Sequence, residues 1–452
     1  MATDTTHPDA AAAPTRRGGR RWDWPVLAGC AIAGLSVGLA SPPNTSQQAW
    51  GLCSAVGYAV AAILAACSVR RWGRLPAIIS VVGAGLVPLI YLTVIDKEQM
   101  EVGVIQRGAA LLLKSGTPYN ADPHTVPQFN PYLPGMSLFG IPDALFGDNP
   151  LTSARLWSLL AFLAVVLWAV RVLTKDRGPA PLATPGGVTP STGALWLIAC
   201  PVLILPLTIG GVDPPVIGVI VLALAFLQRD RPGAAGLALG VASALKWTAW
   251  PAIPVALALL WVTKGKGAAA RCAAGSVGLA ALAALPAALI DSDAFLQNAI
   301  LYPLGMGEAN SSAQSPLLGH LIVLLLPEIG KTVTVALIGV SAVGVAVSLL
   351  VRPPRTVIAA ADRLAIGLLL AIVLSPATRL GYAIYPVVLI FWPRFAAALS
   401  PVDTLPPIPR QTSDEPTVTG DGADAPGAGT DAADAGTEPK SGTSAEAAAQ
   451  NG

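Results

Sequence analysis

Long apolar blocks alternate with short polar breaks along the first 400 residues of the chain. Most blocks are continuous runs of Ala, Leu, Val, Ile and Gly, near the roughly 20 residues that a helix needs to cross a bilayer. Barrel strands would instead alternate apolar and polar positions over about ten residues. The pattern therefore predicts an all-α, polytopic transmembrane helical bundle with roughly eleven full spans, because a lone strand leaves backbone groups unpaired in lipid.

The polar breaks mark where the individual membrane spans are expected to begin and end. We expect full or nearly full spans at residues 24–40, 50–69, 75–95, 156–172, 193–209, 215–227, 268–290, 333–351, 361–374 and 383–399. The apolar stretch at 233–262 is too short for two crossings, so a pair of short helices should turn near Lys246 to Pro251 inside the bundle. A second half-helix is expected at 321–327. Such broken helices are tolerated where they line a cavity.

Composition and charge support this division and narrow the function. Hydrophobic residues make up 53% of the chain and charged residues only 12%. Lys and Arg collect in alternate breaks, which predicts a plasma-membrane protein with both termini in the cytoplasm. Residues 1–23 form a basic cytoplasmic segment, 24–400 a transmembrane domain, and 401–452 a polar tail expected to be disordered. A net charge of +2 without a basic domain argues against nucleic acid, and the five scattered cysteines predict no metal or cofactor site.

The break at residues 96–150 is long enough to be a structured outer loop. Its first part, EQMEVGVIQRGAALLLK, predicts a helix along the membrane surface, and its second part is rich in turn formers and aromatics. Asp96 and Glu101 lie at its start, directly after a span. Either carboxylate could act as a general base on an acceptor hydroxyl, or could simply mark the water boundary.

Charged and aromatic residues near the span ends form a second group of candidates. Cations at these depths could hold a lipid phosphate or snorkel to the interface, and tyrosines could stack on sugars or form an interfacial belt. Asp213, in GGVDPP, could cap the next helix or face a site. The candidate substrate-binding residues are Arg107, Tyr119, Asn130, Tyr132, Arg155, Asp213, Lys246, Arg379 and Tyr382.

The order of several motifs resembles that of a known family. EVGVIQRGAALLLKSGTPY, FNPYLPGMSLFGIP, GGVDPP, AGLALGVASALKWTAWP and SPATRLGYAIYP, spread over residues 75–395, are similar to glycosyltransferase family 87, which is of GT-C type and includes actinobacterial mannosyltransferases. The resemblance implies a polyprenyl-phosphate sugar donor, commonly mannose, a lipid or glycan acceptor, and inverting transfer at the outer face. It maps the family's base to Glu101, with Asp96 as the alternative.

Two other functions remain open at this point. Broken helices around a mid-membrane lysine also suit a transporter or lipid flippase. A family member without activity that binds a lipid would share every motif named above.

Overall fold

The chain folds as a bundle of helices in a computed structural model that describes residues 22–68, 72–175, 190–307, 313 and 315–397. The expected basic N-terminal segment and the polar tail at 401–452 lie outside these residues, apart from Trp22 and Asp23. In chain order the α-helices are α1 Asp23–Ala40, α2 Ser46–Cys67, α3 Arg74–Val81, α4 Val87–Val94, α5 Met100–Ser115, α6 Ile141–Phe146, α7 Ala154–Thr174, α8 Pro190–Ile198, α9 Pro201–Ile209, α10 Asp213–Gln228, α11 Pro232–Leu245, α12 Ala252–Lys264, α13 Lys266–Ile290, α14 Ser292–Phe295, α15 Leu318–Leu325, α16 Gly330–Val351, α17 Val357–Leu374 and α18 Ile384–Ala397. No β-strand is present in the described part, which confirms the all-α class.

Eight helical segments of the described chain are long and apolar enough to cross a membrane, so this is a multi-pass membrane protein. They are α1, α2, α3 with α4, α7, α13, α16, α17 and α18 with the turn before it. The helices α8 and α9 add a ninth if the pair is counted as one span, although it bends by 66°. The expected count of roughly eleven full spans is not confirmed.

One expected span, at residues 215–227, is a helix that is shorter than a full crossing. At about 1.5 Å per residue, the 16 residues of α10 reach only about 24 Å, against a hydrocarbon core of about 30 Å. Every α10 residue from Asp213 to Leu227 is buried, and α10 packs against α7 and α11. A helix in the protein core needs no lipid-matching length, so α10 is the central element of the bundle.

The expected pair of short helices between the two basic loops is confirmed. Helix α11 ends at Leu245, a short 3-10 turn covers Trp247–Ala249, and α12 starts at Ala252. Lys246 has an extended backbone, with φ −157° and ψ 144°, at the break. The break therefore puts a cationic side chain in the bundle rather than on its surface.

The expected surface helix is α5, which crosses the end of the bundle where α4 ends and α7 begins. It buries Val102, Ile105 and Ala109 against the bundle and the 3-10 helix Pro134–Gly140, and it stops at Gly116, whose φ of +79° suits glycine. We call this end of the molecule the site end. The ends of α1, α9, α11 and α17 and the starts of α2, α10 and α18 also meet there.

Candidate functional site

Two adjoining cavities open at the site end. The smaller has a volume of about 360 Å³ and the larger about 1150 Å³. Six residues line both: Met100, Glu101, Tyr132, Lys246, Arg379 and Tyr382. Five of the six are candidates from the sequence, so residues from four distant parts of the chain meet at the boundary between the cavities.

Glu101 lies in the first turn of α5 and is 7% exposed. The guanidinium of Arg379, which follows α17 in the turn before α18, donates through Nη1 to Glu101 Oε1. Glu101 Oε2 is buried and accepts no hydrogen bond in the described structure. A buried carboxylate oxygen without a donor is costly, and in a site it is a ready acceptor for a proton.

A second ion pair lies beside the first. Lys246 Nζ donates to Asp213 Oδ1 at 2.6 Å, and the Tyr385 hydroxyl donates to the same oxygen at 2.7 Å. The Thr248 hydroxyl donates in turn to Tyr385 at 2.7 Å. Asp213 is the first residue of α10, where the positive end of the helix dipole favours a carboxylate. The central helix and the broken pair therefore fix this network together.

Two tyrosine rings flank the ammonium group of Lys246. Its Nζ lies 4.7 Å from the centre of the Tyr382 ring and 5.6 Å from that of Tyr132, within cation–π range. These rings also face both cavities. The arrangement combines cations, carboxylates and aromatic faces, the groups that bind phosphates and sugars.

Two of the candidates brace the segment between α5 and α6 instead of lining the shared cavities. Asn130 Oδ1 accepts from the Tyr132 amide at 3.2 Å and Asn130 Nδ2 donates to the Pro118 carbonyl at 3.2 Å, while the Tyr119 hydroxyl donates to the Tyr132 carbonyl at 2.9 Å. Asn298, which the sequence did not single out, accepts from the Asn130 amide at 2.9 Å and is fully buried. Their polar groups are used within the protein, and they hold Tyr132 in place.

The remaining candidates lie farther out. Arg155 donates to the Lys97 carbonyl and to Thr93 Oγ1, each at 2.9 Å, so it fastens the turn between α4 and α5 and does not line the shared cavities. Asp96 is exposed in that turn, with φ +50°, and lines neither cavity. Arg107 donates to the Pro127 carbonyl at 2.7 Å on the wall of a separate cavity, and partial burial lowers the pKa of its guanidinium.

The fold and the site define a class: a multi-pass membrane protein with a charged, partly buried cavity at one end. Residues 130–376, more than half of the chain, match glycosyltransferase family 87, and the chain belongs to that family. The match includes Asp213 and Lys246, whereas Glu101 and Arg379 fall outside it.

One solved structure is similar to this one, the crystal structure of ArnT from Cupriavidus metallidurans bound to undecaprenyl phosphate. The two share 18% sequence identity at a TM-score of 0.41, and the alignment covers 69% of this chain. This chain spans 59% of the ArnT chain. Among proteins of curated function, none matches the sequence significantly.

Proposed function

We propose that this protein transfers a sugar, mannose in the first instance, from a polyprenyl-phosphate donor to a hydroxyl group of an extracytoplasmic acceptor, with inversion at the anomeric carbon. One observation carries the proposal. Glu101 presents a buried, unpartnered carboxylate oxygen at the boundary of two cavities, next to Arg379 and within the same lining as Lys246. Membership of family 87 supports the sugar-transfer chemistry.

In the proposed reaction Glu101 Oε2 takes the proton of the acceptor hydroxyl. The freed oxygen lone pair attacks the anomeric carbon, and the bond from that carbon to the phosphate oxygen breaks on the opposite face. The products are the new glycoside and polyprenyl phosphate, with the proton on Glu101. The phosphate gains one negative charge as it leaves, so catalysis needs cations near it more than it needs an acid.

Arg379 and Lys246 are the cations that meet this need. In the described structure each is paired with a carboxylate, Arg379 with Glu101 and Lys246 with Asp213. A donor phosphate entering beside them takes Arg379 from Glu101, because Arg can bind two phosphate oxygens at once. Lys246 stays paired with Asp213 and adds its positive charge to the phosphate site. When Arg379 turns to the phosphate, Glu101 loses its neutralising partner and becomes the stronger base.

The two cavities suggest places for the two substrates. Apolar side chains of α16 and α17 form much of the wall of the smaller cavity: Ile338, Leu368, Ala371 and Ile372. Isoprene units of a donor lipid suit such a wall, since apolar surface is removed from water there. The larger cavity carries more polar groups, among them Glu98, Gln99 and Ser315, and suits a polar acceptor.

The charge pattern supports an outward-facing site. Basic residues gather at the end of the bundle opposite the site end, where α10 and α12 stop and α16 turns into α17: Arg229, Arg231, Lys264, Lys266, Arg352 and Arg355. Basic loops of membrane proteins stay in the cytoplasm. We therefore propose cytoplasmic termini and a site at the external leaflet.

The direct test incubates membranes containing the protein with radiolabelled polyprenyl-phosphate mannose and isolates the labelled product. Glu101→Gln keeps the size of the side chain and one acceptor oxygen but removes the base, so we expect transfer to fall by about 10²–10⁴-fold. Donor binding and expression should be retained.

The matched controls are Asp96→Asn and Glu98→Gln, which neutralise neighbouring carboxylates of the same turn. Full activity of Glu101→Gln together with an inactive Asp96→Asn would move the base to Asp96. Activity of all three variants would refute the mechanism. Labelled lipid crossing a liposome bilayer without any transfer would instead identify a flippase.

A further inference from the structure

The larger cavity has a wall that does not belong to the charged site. The α1–α2 turn, residues 41–47 including the first two residues of α2, supplies Ser41, Pro42, Asn44, Thr45, Ser46 and Gln47 to its lining. This turn lies outside the segment that matches the family, which begins at residue 130. The same cavity is lined by Glu101, whose Oε2 is buried and unpartnered.

The side chains of Thr45 and Gln48 hold the turn in shape. The Thr45 hydroxyl donates to the Pro42 carbonyl at 2.8 Å and accepts from the Gln48 amide at 3.2 Å. Gln48 Oε1 accepts from the Asn44 amide at 2.9 Å. The backbone at Asn44 is left-handed, with φ +62°. The turn is therefore a preformed surface.

Two side-chain amides of this surface are left with free hydrogen-bonding groups. The Asn44 side chain makes no hydrogen bond within the described structure, and Gln47 only accepts one, from Ser46 at 3.2 Å. Gln99 lines the same cavity, and its side-chain amide also makes no hydrogen bond within the described structure. Amides that both donate and accept match hydroxyl groups, which do the same.

The helices that carry the turn are fixed to the bundle. A Cβ atom at Gly38 would lie 2.9 Å from the Leu52 amide nitrogen, so α1 and α2 approach as closely as small residues permit. Trp50 Nε1 donates to the Ala84 carbonyl at 2.7 Å, and the Tyr58 hydroxyl donates to the Ala199 carbonyl at 2.5 Å. The position of the turn relative to Glu101 is thereby set by packing rather than by a flexible loop.

From these observations, and resting on the proposed function, we propose that the α1–α2 turn selects the acceptor. Asn44 and Gln47 hydrogen-bond hydroxyl groups of a head group that is rich in hydroxyls and larger than one sugar ring. The size follows from the cavity, since about 1150 Å³ exceeds the roughly 300–1000 Å³ of ordinary small-molecule sites. The hydroxyl that reacts is the one placed at Glu101.

The test measures binding and so does not depend on turnover. Purified full-length protein in a zwitterionic detergent that contains no sugar is titrated with octyl glycosides of one, two and three hexoses and with 1-octanol, using saturation-transfer NMR. We expect the two- and three-hexose glycosides to bind more tightly than the one-hexose glycoside, and 1-octanol to bind least.

The variants are Asn44→Gly, which suits the left-handed backbone, combined with Gln47→Leu. Losing two neutral hydrogen bonds should weaken binding of the three-hexose glycoside by about tenfold or more. Ser36→Ala is the matched control, because that hydroxyl bonds only its own helix, at Ile32, outside the cavity. If the double variant is less thermally stable, Gln47→Met alone, which keeps the length of the side chain but removes its amide, should still lower the affinity.

Wild-type affinity in the double variant, or glycosides that bind no better than 1-octanol, would overturn the assignment. The test also separates this proposal from the proposed function. Glycoside binding is measured without the donor, so normal binding without transfer in the wild type would contradict only the transferase activity.

Discussion

The two ion pairs of the site differ in how completely the protein uses them. Asp213 accepts from Lys246 and from Tyr385, and the charged side chains are 11% and 10% exposed. Glu101 has one partner, Arg379, whose side chain is 28% exposed, and its second oxygen is buried without a donor. The first pair is held by hydrogen bonds between α10, the end of α11 and α18. The second pair has a carboxylate oxygen left for an incoming ligand.

This difference predicts a structural role for the first pair and a catalytic role for the second. A closed pair between the central helix and the broken pair fixes the geometry of the cavity, and its cost of burial is offset by several hydrogen bonds. An open pair can change partner when an anion arrives. We therefore expect changes in the Asp213–Lys246 pair to be seen first in stability, and changes in the Glu101–Arg379 pair to be seen first in catalysis.

The largest effect should come from Lys246→Met, which leaves Asp213 as an uncompensated charge. Removing one member of a buried pair typically costs about 3–5 kcal/mol. We expect a clear loss of thermal stability in detergent, measured by the unfolding midpoint of the purified protein. The double variant Asp213→Asn with Lys246→Met should recover much of that stability, since no charge is then left unpaired. A single variant as stable as the wild type would remove the distinction between the two pairs.

The next effect is expected at Arg379 and should be catalytic. Arg379→Gln removes the cation proposed to meet the leaving phosphate, and loss of one such preorganised group costs about 10²–10³-fold in rate. Arg379→Lys keeps the charge but not the bidentate grip, so it should recover part of the rate. Labelled transfer and the unfolding midpoint are measured together. A Gln variant that is strongly destabilised but transfers normally would make this pair structural.

The sequence predicted the helices that form this site better than the side-chain contacts between them. Apolar length located most helices to within a few residues, and the short stretch around Lys246 predicted the broken pair because two crossings could not fit. The expected count of about eleven spans is not confirmed, and α10 shows why composition does not fix it: a helix buried inside a bundle has the same apolar composition as one in lipid.

The sequence did not predict the ion pairs and hydrogen bonds of the site, because they join residues that are far apart in the chain. Glu101 and Arg379 are 278 positions apart, and nothing local shows that each meets the other. Tyr119 and Asn130 have the chemistry of ligands but bond the backbone of their own loop. Arg155 at the start of α7 turns back to the α4–α5 turn, which composition alone does not distinguish from a phosphate ligand.

The smallest effect concerns Glu98, the carboxylate three residues before Glu101 in the lining of the larger cavity. Burial raises the pKa of Glu98 above its ordinary value of 4.5, although Arg155 and a hydrogen bond from Ser153 oppose the shift. A raised pKa in the folded state means that the protonated form is favoured there. Its contribution to stability is therefore complete below the unfolded pKa and is lost as pH rises through the folded pKa.

Glu98→Gln is neutral at every pH and removes that dependence. The unfolding midpoint of the variant minus that of the wild type should therefore increase as pH is raised from about 4 through the region above the ordinary glutamate pKa. A difference that shrinks with rising pH would mean that Arg155 outweighs burial. Glu98 would then be a charged partner of Arg155 in the turn, and Glu101, with one oxygen that accepts no hydrogen bond, would be the carboxylate available to a ligand.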